Sequence, residues 1–162
     1  MKKLTLITLV LFALFAASCT KKAPMDCCMA PAAPYFNAEK DSKSWIGLPE
    51  AFKTSTDSLT ITGRKTEENL LIRIKYTGKG NYVLNSHQGK YYMTVGQDVM
   101  VAEYILDDTA PNILEVTEYD TTKGFISGKF SITLKKIYGN PNEAYPSTIK
   151  FLNGTFRQTL PK

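Results

Sequence analysis

The chain has 162 residues, with 20 Lys and Arg against 15 Asp and Glu and a single histidine. That length suits one domain with a real core, and 43% hydrophobic residues exclude a chain disordered by composition. The surplus of five positive charges is scattered, with no arginine cluster, and gives no electrostatic footprint for nucleic acid.

The first stretch is laid out as an export signal. Met1-Lys2-Lys3 is a short positive segment, Leu4 to Phe15 is an apolar run broken only by Thr5 and Thr8, and Ala16-Ala17-Ser18 leads to Cys19. The run is too short to span a hydrocarbon core, which needs about 20 residues. The stretch resembles the lipobox of bacterial lipoproteins, matching at Ala17 and Ser18 and departing at Ala16, where that family prefers leucine. The resemblance implies cleavage before Cys19, modification of that cysteine by palmitate-type acyl chains, and a mature N-terminus at that residue. One acyl chain binds a membrane only marginally, whereas the three that the resemblance implies hold it stably. Thr20 in place of Asp resembles an outer-membrane address. Lys21 and Lys22 stand where surface-exported lipoproteins carry an acidic run, so the expected position faces the periplasm. Losing residues 1–18 removes Lys2 and Lys3 and lowers the charge surplus to three.

Residues 19–34 read as a tether rich in Ala and Pro, with Pro24, Pro31 and Pro34. Extended, it would hold a domain up to roughly 45 Å from a membrane. It contains Met25, Cys27, Cys28 and Met29, soft sulfur ligands that suit Cu(I). The alternative is a plain spacer, or one forming disulfides between chains. A zinc site would want two separated Cys/His pairs, which the chain lacks. No metal site is expected beyond this candidate cluster. The rest of the chain has no cysteine and must fold without a disulfide.

From Tyr35 the apolar period is two. Tyr35–Ala38 and Trp45-Ile46 flank a polar, turn-rich stretch and read as a short hairpin or edge element. Leu48–Phe52 is ambiguous and fits a single helical turn. Ser58–Thr62 and Asn69–Tyr76 alternate strictly, with Leu70, Ile72, Ile74 and Tyr76 on one face. Gly78-Lys79-Gly80 turns the chain into Asn81–Leu84, and Asn85–Gly89 turns it again. Strands follow at Tyr91–Val95, Val99–Leu106 and Ile113–Tyr119. After a hairpin loop ending at Gly124, Phe125–Ile137 is the longest strand, and Gly128 within it marks a bulge or bend. A loop with Pro141 and Pro146 precedes Thr148–Leu160, which Asn153-Gly154 either kinks or splits. Short links between sequential strands favour an antiparallel meander. The expectation is a single all-β domain over residues 35–162, about eight strands closing into a β-barrel or packing as a two-sheet β-sandwich.

The segments Ile113–Asp120, Gly124–Ile132 and Ile149–Phe156 are similar to a group of Bacteroidota lipoproteins classed as domains of unknown function. In that group a strand ending in Tyr-Asp precedes an Ile-Ser-Gly-x-Phe strand and a closing Asn-Gly-x-Phe segment, and Trp45 after a polar turn also fits. The motifs are structural glycines and core aromatics, and the resemblance supplies no catalytic residues.

No enzyme is expected. His87 beside Ser86 lies in a turn cluster, where sequence neighbours seldom face each other as a base and nucleophile must. Asp107, Asp108, Glu118 and Asp120 would hold Ca²⁺ only if their loops met at one end, and Asp107-Asp108 lacks the ligand spacing of a dedicated loop. Tyr91 and Tyr92 place one ring on each face of a strand, for cross-strand packing or for stacking on a ligand. The leading expectation is a lipid-anchored, non-enzymatic binding or structural module of the cell envelope without a cofactor, whose partner is an envelope protein or small ligand. One alternative is a lipocalin-like carrier with an apolar cavity lined by Leu70, Ile72, Ile132 and Leu134. The other is a glycan-binding accessory protein.

Overall fold

Alternating apolar and polar residues give each strand one face to bury, and ten such strands bury theirs together. The computed structural model describes residues 32–53 and 58–160. The strands are β1 (Tyr35–Lys40), β2 (Lys43–Lys53), β3 (Ser58–Lys65), β4 (Glu68–Lys75), β5 (Gly80–Val83), β6 (Gly89–Val95), β7 (Val99–Leu106), β8 (Ile113–Asp120), β9 (Phe125–Gly139) and β10 (Thr148–Thr159). All pairings are antiparallel, in the order β10-β1-β2-β3-β4-β6-β7-β9-β8-β5, and a further pairing of β10 with β9 closes the ring. The result is a closed barrel of eight strands, with β8 and β5 added outside the ring. Closure decides between the two expected architectures in favour of the barrel, and the meander is interrupted where β5 and β8 leave it.

One local expectation is corrected and one alternative is decided. Leu48–Phe52 forms no helical turn but continues β2, pairing Leu48 with Arg64 through Lys53 with Leu59. β2 pairs with β1 only as far as Gly47. Pro49 therefore sits where β2 has one strand neighbour, the place at which a sheet tolerates proline. Of the two readings of Asn153-Gly154, the kink holds and the split does not, because β10 runs on through it. Asn153 has φ of 51° and lies in a bulge, where the register with β9 shifts between Phe151 and Gly154.

The barrel interior is solid. Phe36, Trp45, Tyr91, Tyr104, Phe130, Phe151 and Phe156 fill it, all at 3% exposure or less. Edge-to-face contacts link Trp45 to Phe36 and to Phe151, at centroid separations of 5.7 and 5.3 Å. Eight strands leave just enough width for side chains, and so many rings fit only because glycines stand beside them. A Cβ on Gly63 would lie 2.6 Å from the Phe36 ring, one on Gly154 would lie 2.5 Å from Phe130, and one on Gly89 would lie 2.6 Å from Leu106.

β9 serves two neighbours on one side. Its first half pairs with β8, from Phe125 to Ser131, and its second half with β7, from Leu134 to Gly139. Asn112, 1% exposed, fills the gap between them. Its amide nitrogen donates to the carbonyls of Asp107 (2.8 Å) and Ala110 (3.1 Å), and its oxygen accepts from the Thr133 N–H (2.8 Å). One side chain thus supplies the bonds that a neighbouring strand would have made. Gly128 lies opposite the bulge in β8 between Val116 and Glu118. A Cβ there would be 2.0 Å from the Glu115 carbonyl oxygen and 2.7 Å from the Phe156 ring.

Gly128→Ala is expected to lower unfolding free energy by about 1–3 kcal/mol, since β8 must move off the barrel. Gly139→Ala is the control, because a Cβ there meets the flexible Lys136 chain at 3.2 Å and the Tyr145 ring at an ordinary contact distance of 3.5 Å. It should stay within about 0.5 kcal/mol of wild type in urea denaturation followed by Trp45 fluorescence.

Candidate functional site

The turns after β1, β3 and β6, together with the β9–β10 loop, lie at one end of the barrel, and a polar cluster closes that end. Lys40 at the end of β1, Trp45 on β2, Glu68 at the start of β4 and Tyr91 on β6 converge there. A single oxygen of Glu68, Oε2, accepts from Lys40 Nζ (2.7 Å), the Trp45 indole N–H (2.7 Å) and the Tyr91 hydroxyl (2.8 Å). Lys40 Nζ also donates to the Tyr91 oxygen at 2.8 Å and lies over that ring. Burial by itself would raise the Glu68 pKa, but the bonds from Lys40, Tyr91 and Trp45 outweigh it and hold the carboxyl below its ordinary value. Burial and the Glu68 carboxylate push the Tyr91 phenol well above its usual range, so it remains a donor. Every donor in this cluster is engaged, and the arrangement is that of a closed cap on the interior.

A different surface carries unengaged groups. On the outer face of β5, β8, β9 and β10 lies a groove of about 540 Å³ lined by Asn81, Ile113, Glu115, Lys129, Leu152 and Thr155, among others. Four of these form one cross-strand row: Asn81 opposes Glu115, Glu115 opposes Lys129, and Lys129 opposes Thr155. Their outward direction follows from alternation with the buried Leu114, Val116, Phe130 and Phe156. The apolar side chains beside the row are Ile113, 43% exposed, and Leu152, 39% exposed in the β10 bulge. Among the described residues, no hydrogen bond or ion pair engages the side chains of Asn81, Glu115, Lys129 or Thr155. The groove lies where β8 and β5 extend the sheet beyond the ring and where β10 carries its bulge.

Cys19 and the sulfur cluster of Met25, Cys27, Cys28 and Met29 lie outside the described residues. His87 is exposed in a short 3-10 turn, Ser86–Gln88, capped by Asn85. The Ser86 N–H is bound by Asp108 at 2.7 Å. The four candidate calcium ligands are spent separately. Asp107 accepts from the Thr109 N–H and hydroxyl, Asp120 accepts from the Lys123 N–H, and Glu118 accepts from Ser127 and pairs with Arg157 at 3.6 Å. Among the described residues no group of three or more His, Cys, Asp or Glu is placed to hold a metal. Tyr91 is fully buried in the cap, and Tyr92 is half-buried on the outer face. Sequence reasoning missed Glu68, Asn112 and the polar row. Only the row had a signal, since its members fall at outward positions of their strands, but nothing in the sequence said which strands adjoin.

Glu68→Gln is expected to destabilise the barrel by about 2 kcal/mol at neutral pH, by weakening charge-assisted bonds. The carboxyl's folded pKa lies below its ordinary 4.5. Its stabilising contribution is therefore complete above pH 4.5 and is lost as pH falls through the folded value. The stability gap between wild type and Glu68→Gln should accordingly narrow on acidification below pH 4.5, measured by denaturant titration at several pH values.

The family model described as "Domain of unknown function (DUF6252)" matches residues 32–159. No curated protein and no solved structure matches the chain. The matched stretch runs from just before β1 through the whole of β10, and the chain belongs to this DUF6252 family of domains of unknown function.

Proposed function

We propose that this protein is a membrane-anchored lipoprotein of the cell envelope, of the Bacteroidota type that its strand motifs resemble. In this reading its barrel is a non-enzymatic binding module. The anchor reading rests on the order of the first nineteen residues: positive segment, apolar run, small residues, cysteine. Lipid on Cys19 would hold the mature chain at the outer membrane, facing the periplasm, with residues 19–34 as the spacer.

The observation that carries the binding reading is the contrast between a filled interior and an unengaged exterior. A carrier of apolar molecules needs an empty barrel. Leu70, Ile72, Ile132 and Leu134 are instead wholly buried in one cluster with the interior rings. The groove on β5, β8, β9 and β10 offers free donors, free acceptors and exposed apolar surface together, the composition that recognises a ligand.

Replacing Cys19 by serine should abolish acylation and block cleavage before residue 19, so that the chain accumulates with its leading segment attached. A variant that still sediments with the envelope, cleaved at the same bond, overturns the anchor. A fluorescent fatty-acid analogue titrated into the full chain should show no saturable binding and leave the emission of Trp45, the single tryptophan, unchanged. Saturable binding that quenches Trp45 would restore the carrier.

A further inference from the structure

Resting on the reading of the outer groove as the binding face, we infer that its ligand is a neutral oligosaccharide lying across the strands. The row Asn81–Glu115–Lys129–Thr155 crosses four strands at right angles to their direction. Neighbouring strands stand about 4.8 Å apart, so the row presents an amide, a carboxylate, an ammonium and a hydroxyl at nearly even steps. A chain of pyranose rings repeats on about the same length.

The chemistry along the row narrows the ligand class. Glu115 only accepts hydrogen bonds and Lys129 only donates them, while Asn81 and Thr155 do both. A ligand serving all four must offer a donor to Glu115, an acceptor to Lys129, and either one to Asn81 and Thr155. Sugar hydroxyls do both, and the C–H face of each ring suits Ile113 and Leu152 alongside. One negative and one positive side chain sum to zero, which selects against a polyanion, for which a surplus of basic groups is required. An extended peptide satisfies its backbone best along an unpaired strand edge, whereas this groove runs across strands and offers side chains.

The test uses the full chain in detergent on an array of neutral tetrasaccharides (cellotetraose, maltotetraose and chitotetraose). Sulfated tetrasaccharides and uncharged unstructured peptides are spotted beside them. At least one neutral tetrasaccharide should bind saturably. Lys129→Met and Glu115→Gln should each weaken that binding about tenfold, the effect of losing one hydrogen bond to a charged group. Thr155→Trp, which fills the groove, should abolish it, and Lys43→Ala on the β1–β2 hairpin should not change it. Unaltered thermal unfolding of each variant separates lost binding from lost fold. Preference for sulfated sugars, or no binding to any array member, overturns the inference. Peptide binding abolished by Thr155→Trp also overturns it while leaving the groove as the binding face. Sugar binding that survives Thr155→Trp overturns the groove reading itself.

Discussion

Filling a narrow barrel with large rings is possible only where other residues give up their side chains, and that trade organises this domain. Phe36 occupies the space over Gly63, Phe130 that over Gly154, Phe156 that over Gly128, and Leu106 that over Gly89. Each pair joins residues distant in sequence, so each holds two strands in one relative position. A shift of one residue would put a ring against a Cβ and turn the buried face outward. Packing of this kind fixes register more sharply than backbone hydrogen bonds, which a slipped strand can remake. It also uses up the interior.

Two polar constructions complete what the rings cannot. At the turn end, Glu68 gathers three donors onto one oxygen, which lets the indole and phenol of buried rings reach a partner without breaking the apolar core. At the branch of β9, Asn112 takes the place of absent strand pairing. The branch in turn sends β8 and β5 beyond the ring, and their outer face becomes one wall of the groove. The close approach of Gly128 to the Glu115 carbonyl sets how β8 lies on β9. Glu115 is also a member of the groove's polar row, so core packing and the outer surface meet at that residue.

Much of the secondary structure could be read directly. The runs around Ile72, Ile105, Val116 and Ile132, read as strands from the sequence, became β4, β7, β8 and β9 with ends shifted by only a few residues. Leu48–Phe52 misled because Pro49 and Glu50 suit a helical start as well as a strand with one neighbour, and that neighbour, β3, is set by pairing as far on as Arg64. Asn153-Gly154 carries the signature of a hairpin turn. Its role as a bulge depends on Phe130 needing the space beside Gly154. Glu68 looked like an ordinary polar residue at a strand start, since Lys40, Trp45 and Tyr91 come from three other strands.

The amino-acid sequence by itself determined the strands, their buried faces, the all-β class and the layout of the leading segment, because these depend on neighbours within a few residues. Tertiary structure alone decided that the sheet closes as a barrel, that the interior is full, and that Asn81, Glu115, Lys129 and Thr155 stand in one row. Those outcomes depend on which strands become neighbours, and that choice is made by the sum of ring volumes and missing Cβ atoms across the whole interior, a quantity no local pattern contains.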